Sequence, residues 1–279
     1  MNRALKLIGL GFLIAAICGI MSAQETTTSG PKAQSQDTSS STKTTSSDTS
    51  NDKDQADIVK RMNSAADVFS EIMQASDKGI PQDILNSAEC VGIVPSMIKG
   101  GFGFGGRYGK GVATCRTSNG WSAPAPITIA GGSWGLQIGG EAVDLVMLVM
   151  NDKGMQHLLS SKFKIGGEAS AAAGPIGRQT EANTDWKMRA EILTYSRARG
   201  IFAGLELNGA VVKQDKDSTR ILYGGKLIDF KTLLKGAVPP PASAQHFLAT
   251  VRKYAAEAKE ERGSLSTPKS NSARAGASR

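Results

Sequence analysis

Three arrangements of residue types in this chain could carry chemistry. Gly131-Gly132-Ser133-Trp134-Gly135 has the G-x-S-x-G spacing of a nucleophile elbow, in which a strand turns sharply into a helix and presents a serine to a histidine base. The residues after it, Leu136 to Gly140, continue as a strand, and only His157 and His246 exist to act as base. A small residue on a crowded sheet face explains Ser133 better, with acyl hydrolysis as the alternative. Gly101, Gly103 and Gly106 match G-x-G-x-x-G, which needs a helix opening directly behind it to meet a pyrophosphate. Arg107-Tyr108-Gly109-Lys110-Gly111 follows instead, and no helix starts there. The third arrangement is a cation beside glycine: Arg107, Lys110, Arg178, Arg197 and Arg199. Exposed backbone N–H groups next to a guanidinium or ammonium can hold a phosphate. Ordinary turn chemistry accounts for the same residues equally well. Two histidines and the cysteines Cys90 and Cys115 do not fall at metal-ligand spacing, and Glu168 and Asp185 have nothing that makes them converge. No cofactor is implied.

These residues sit in glycine-loaded strands. From Gly100 to Cys115, Phe102, Phe104, Tyr108, Lys110 and Val112 take alternate positions, and the positions between them are nearly bare apart from Arg107. Glycine is disfavoured in a strand unless a bulge, strong curvature or a close neighbour needs it. Ile127 to Gly140 repeats the pattern. Cys90 to Val94 reads as a buried strand stopped by Pro95, and Asp144 to Met150, Asp185 to Ser196 and Ile201 to Lys213 as further strands. The expected fold is α+β: a strongly coiled, mostly antiparallel glycine-rich sheet or barrel with flanking helices.

Helical spacing of Ile58, Met62, Ala65, Phe69 and Ile72 predicts a helix starting near Asp54. Its charge is nearly balanced, with Lys60 and Arg61 offset by Asp57, Asp67 and Glu71. Packing on its own domain therefore suits it better than insertion into a membrane. Shorter helices are expected after Pro81, over Lys153 to Ser160, around Asp217 to Tyr223 and at Asp229 to Lys235. A last one, capped by Ser243, is expected over Ala244 to Lys259.

The ends of the chain differ from its middle. Residues 1–23 have a basic start (Arg3, Lys6), an apolar run and Met21-Ser22-Ala23, the pattern of a signal peptide. That makes the protein exported, periplasmic or extracellular. A lipoprotein anchored through Cys18 is less favoured, because Ile17 is bulky. Residues 24–54, rich in Ser and Thr, read as a disordered linker, 55–260 as the folded domain and 261–279 as a disordered basic tail. The formal charge of +8 suits an anionic surface such as lipid headgroups. Nucleic acid does not fit, since aromatics do not interleave with a dense basic run. Oxidising surroundings permit a disulfide between Cys90 and Cys115, although buried free thiols are also common in strands.

Four motifs in fixed order resemble the SYLF domain family: VPSMIKGGFGFGGRYGKGV, WSAPAPITIAGGSWGLQIGGEAVDLVMLVMN, GGEASAAAGPIGR and ILTYSRARGIFAGLELNGAVV. The resemblance covers roughly residues 57 to 225. It implies a non-enzymatic lipid-binding domain, since eukaryotic members bind phosphoinositides and in some cases actin, while bacterial members are often exported or lipid-anchored. Carried over residue by residue, it marks Arg107, Lys110, Arg178, Arg197 and Arg199 as headgroup-binding. It adds Lys60 and Arg61, on the helix where eukaryotic members carry a membrane-contacting basic segment. For an exported protein the expected partner is an anionic membrane lipid or an envelope protein, with actin unlikely.

Overall fold

The structure is a computed structural model and describes residues 47–75, 79–102, 104–134, 139–175, 190–198, 201–203 and 207–266. Contacts divide the chain into Met1–Lys43, outside the described residues, and Thr44–Arg279, which holds everything below. The signal-peptide reading therefore falls on residues about which the structure says nothing.

The fold is α+β, with a strongly curled, mostly antiparallel sheet. Its strands are β1 (Cys90–Phe102), β2 (Phe104–Thr117), β3 (Gly120–Trp121), β4 (Ala125–Trp134), β5 (Gly139–Val149), β6 (Lys162–Lys164), β7 (Ala171–Ala173), β8 (Ile192–Ala198), β9 (Ile201–Ala203) and β10 (Val211–Gln214). The order across the sheet is β6-β10-β4-β2-β1-β5-β8-β7, with β3 on the end of β2 and β9 on β8. Only β7 and β8 pair in parallel among the described strands.

Two sequence expectations are corrected here. The stretch from Gly100 to Cys115 is a hairpin and not one strand: β1 ends at Phe102, β2 begins at Phe104, and these two residues face each other. Pro95 also fails to stop β1. The strand absorbs it as a bulge, with its register against both neighbours slipping by one residue between Val94 and Met97. Such an extra residue leaves the ladder locally and lets the strand resume. Ser96 takes a positive φ of 49° at the bulge, and its N–H donates to Asp144 Oδ1 at 2.9 Å.

The bulge explains Gly109 and Gly111 of β2. A Cβ on Gly109 would lie 2.6 Å from Val94 Cγ1, and one on Gly111 would lie 2.1 Å from the Ile93 carbonyl oxygen. Beyond the bulge, Cys90 and Cys115 stand opposite each other on β1 and β2 and are joined as a disulfide.

Both sheet faces are covered along part of their length. Helix α1 (Ser47–Gln74) starts seven residues before the expected Asp54, inside the segment read as linker. Its buried stripe, Ile58, Met62, Ala65, Phe69 and Ile72, recurs every three or four residues. With α2 (Gln82–Ser87) and the last helix, it packs on Val91, Ile93, Val112, Val146 and Leu148 of the sheet. The opposite face buries Val94, Met97, Ile127, Ile129, Leu145 and Met147 under α3 (Asp152–Leu159) and α5 (Phe230–Leu234). Between β10 and α5 lies α4 (Lys216–Leu222), and α6 (Gln245–Ser266) ends the described chain, running past the expected Lys259. Phe69 of α1 meets Tyr254 of α6 edge to face at 5.8 Å, and Ser70 Oγ lies 2.8 Å from the Tyr254 hydroxyl.

Candidate functional site, a lysine row on the sheet

In antiparallel strands, directly opposed residues share a face, and so do residues two apart along one strand. The register therefore sets Lys110 (β2), Thr128 (β4), Lys213 (β10) and Lys162 (β6) side by side in one row. This is the face that α1 covers farther along at Val112. Helix α4 closes the row at one end and adds Lys216 and Arg220. The result is a pocket of about 560 Å³ whose wall also includes Tyr108 and Gln214.

Five cations line this pocket against two carboxylates, Asp215 and Asp217, and neither carboxylate is free. Asp215, 6% exposed, caps α4: Oδ1 accepts the Ser218 N–H at 3.1 Å and Oδ2 accepts the Ser218 hydroxyl at 2.7 Å. Lys110 Nζ lies 3.1 Å from the same Oδ2, and Arg61 Nη1 lies 3.6 Å from it while donating to Ser218 Oγ at 3.0 Å. Burial alone pushes the Asp215 carboxyl up. The two Ser218 hydrogen bonds and Lys110 outweigh it and hold the group below the ordinary carboxylate range. Asp217 faces Arg220 at 3.4 Å on the surface. Among the described residues no carboxylate pairs with Lys162, Lys213 or Lys216.

The residues singled out from sequence meet different fates. Lys110 is in the row. Arg107, an odd-numbered neighbour on β2, lies on the opposite face, half-buried and in register with Lys99 and Gly131. Arg197 is structural: it bridges Asp144, its cross-strand partner, at 2.7 Å and also pairs with Glu71 of α1. It therefore locks the bulge, through Asp144, to the helix layer. Arg61 serves Asp215, and Lys60 is exposed on α1. Arg178 and Arg199 lie outside the described residues. The expected cluster is thus split, because three-residue spacing on a strand reverses the face and Asp144 across the strand and Glu71 of α1 claim Arg197. Lys162, Lys213, Lys216 and Arg220 were missed. Lys162-Phe163-Lys164 alternates charged with apolar and Lys213-Gln214-Asp215-Lys216 is polar throughout, but only the strand order brings them together.

Neither rejected motif gains from the geometry. Ser133 lies within β4, opposite Gly105, with no turn into a helix behind it before Trp134. His157 pairs with Glu191 at 3.5 Å, and His246 lies on the surface of α6, 3.9 Å from Asp67. Of the glycines of G-x-G-x-x-G, Gly101 lies in β1 and Gly106 in β2, and Gly103 falls outside the described residues.

Residues 130–254 match the family model described as Ysc84, Las17-binding protein actin regulator. Human SH3 domain-containing YSC84-like protein 1 is 35% identical over 181 residues, covering 63% of this chain and 52% of that protein. The rat protein of the same name is 33% identical over 190 residues, covering 67% and 55%. LAS seventeen-binding protein 3 of Saccharomyces cerevisiae is 34% identical over 172 residues, covering 60% and 37%. The chain thus spans about half or less of the length of these relatives. They are named for binding and regulation, not for a reaction. The expectation that actin is an unlikely partner is overturned, because the matching family is described as an actin regulator. The folded domain of this chain belongs to the SYLF (Ysc84) family.

Proposed function

We propose that this chain is a non-enzymatic, exported protein that associates peripherally with anionic lipid headgroups through the lysine row and α4. One observation carries the reading: Lys162 and Lys213 face each other directly, next to Lys216, and no carboxylate among the described residues pairs with any of the three. Like charges set opposite each other on a sheet are destabilising. A bound phosphate relieves that repulsion. Each lysine near an anionic membrane is worth about 1 kcal/mol, so these three together contribute about 3 kcal/mol, which by itself is weaker than millimolar binding. Export rests on the leader-like residues 1–23, and the Cys90–Cys115 bridge suits an oxidising compartment.

Co-sedimentation with phosphatidylglycerol-containing vesicles over a salt series tests this. Binding that weakens as salt rises, and weakens further in Lys162→Gln/Lys213→Gln, supports the reading. Binding indifferent to both sinks it. The family description favours a second reading, in which the domain engages actin or an actin-regulating protein. Co-sedimentation with actin filaments in the same salt series separates the two.

A further inference from the structure

The lysine row is followed along the strands by a face that packing among the described residues does not explain. Two residues beyond Lys110, the next row runs Ala142–Ile98–Tyr108–Ala130 across β5, β1, β2 and β4. Ile98 is 61% exposed and Tyr108 49%, and together with Leu227 they are the exposed large apolar residues of the described chain. Two residues further on, all four strands present glycine: Gly140, Gly100, Gly106 and Gly132 in register. The row after that holds Phe102, Phe104 and Trp134 at the sheet's end.

These glycines differ from Gly109 and Gly111. A Cβ on Gly106 or Gly132 would meet nothing closer than 3.9 Å, and one on Gly140 would meet nothing within 4 Å. Glycine weakens a strand, so four in a row, three of them with open space above, point to something that approaches from outside. The approaching surface can be dry. The two central strands, β1 and β2, are paired on both sides at this level, Gly100 with Gly140 and Gly106, and Gly106 with Gly100 and Gly132, so their peptide groups are already in the ladder. Laddered backbone can meet an apolar layer without losing hydrogen bonds to water.

We propose that this face, from the Ile98–Tyr108 row through the glycine row, lies flush against the interfacial layer of an anionic bilayer. The proposal rests on the headgroup reading above and adds its apolar half. The neighbouring lysine row identifies the occupant. Rows two residues apart lie about 7 Å from each other, so the cations meet headgroups while the apolar and glycine rows meet the boundary beneath. None of the eight residues in the two facing rows carries a carboxylate.

The test uses the full chain, vesicles of phosphatidylcholine with phosphatidylglycerol, and the double variant Ile98→Asp/Gly132→Glu. Both substitutions point into open space, and Gly140→Asp serves as a second variant; thermal melts check that each folds. The unaltered protein is expected to keep a salt-resistant fraction of its binding. The face variants should lose that fraction, weakening binding by about tenfold or more at high salt. Lys213→Gln should weaken only the salt-sensitive part. If the face variants bind like the unaltered protein, this proposal falls and the headgroup reading stands. If the unaltered protein binds no vesicle even at low salt, both fall. Face variants that lose actin-filament binding yet keep vesicle binding assign the surface to a protein partner and overturn the proposal.

Discussion

Lys213 on β10 stands directly opposite Lys162 on β6 in an antiparallel pair, and β6 is the sheet's outer strand. Two ammonium groups in that relation cost stability, and edge lysines also discourage pairing with a further strand. Edge protection alone needs one lysine, and does not need the row to continue to Lys110.

The repulsion is measurable. In dilute chloride, Lys213→Gln should melt above the unaltered protein, since removing a like-charge cross-strand pair returns about 0.5 kcal/mol. That corresponds to roughly 1–2 °C for a domain of this size. Pyrophosphate, compared with chloride at equal ionic strength, should raise the melting temperature of the unaltered protein and do so much less in the variant. Equal responses in both proteins would remove the lysine row as an anion site.

Arg197 gives the opposite expectation. It ties Asp144, and through it the Ser96 bulge, to Glu71 of α1. Arg197→Ala should destabilise the fold by about 2 kcal/mol, the worth of a charge-assisted hydrogen bond left unmade. Vesicle binding by the folded fraction should be unchanged. A variant that melts normally but binds weakly would restore Arg197 to the ligand site.

Some of this was legible in the sequence, and the limits were physical. Ile58, Met62, Phe69 and Ile72 announce α1 because a helix writes its buried face into local spacing. The glycine-loaded strands announce a curled sheet for the same local reason. The hairpin inside Gly100–Cys115 was hidden because Phe102 and Phe104 keep the two-residue alternation through the reversal. The bulge at Pro95 was hidden too, because proline usually ends a strand and here Asp144, 48 residues away, receives the freed Ser96 N–H. The lysine row is a matter of strand order: Lys110, Lys162 and Lys213 come from three strands, and no local pattern sets β10 between β6 and β4.

The two kinds of glycine can be told apart by one methyl group. Gly111→Ala would push its Cβ to 2.1 Å from the Ile93 carbonyl oxygen, so the bulge has to move. Overpacking of this kind costs about 1–3 kcal/mol. Gly132→Ala meets only Gly105 O, at 4.0 Å, and should be neutral or stabilising by up to about 1 kcal/mol. Denaturant melts of the two variants decide it. A large loss at Gly132 would show that the open face is packed in solution.

Asp215 makes the fold's acid response specific. Its carboxyl is held below the ordinary range by Ser218 and Lys110, against the upward push of burial. A depressed folded value means the contribution is complete above the unfolded value of about 3.9 and is lost as pH falls through the folded one. The melting temperature should therefore drop on acidification below about pH 4, and Asp215→Asn should flatten that drop. Asparagine still caps α4, so the variant tests the charge and not the cap. At neutral pH it should cost about 2 kcal/mol, because Lys110 loses a charge-assisted partner. The same change frees Lys110 and leaves the pocket more positive, so binding to anionic vesicles should tighten while stability falls. A variant that loses stability and binding together would mean that Asp215 shapes the pocket rather than competing with its ligand.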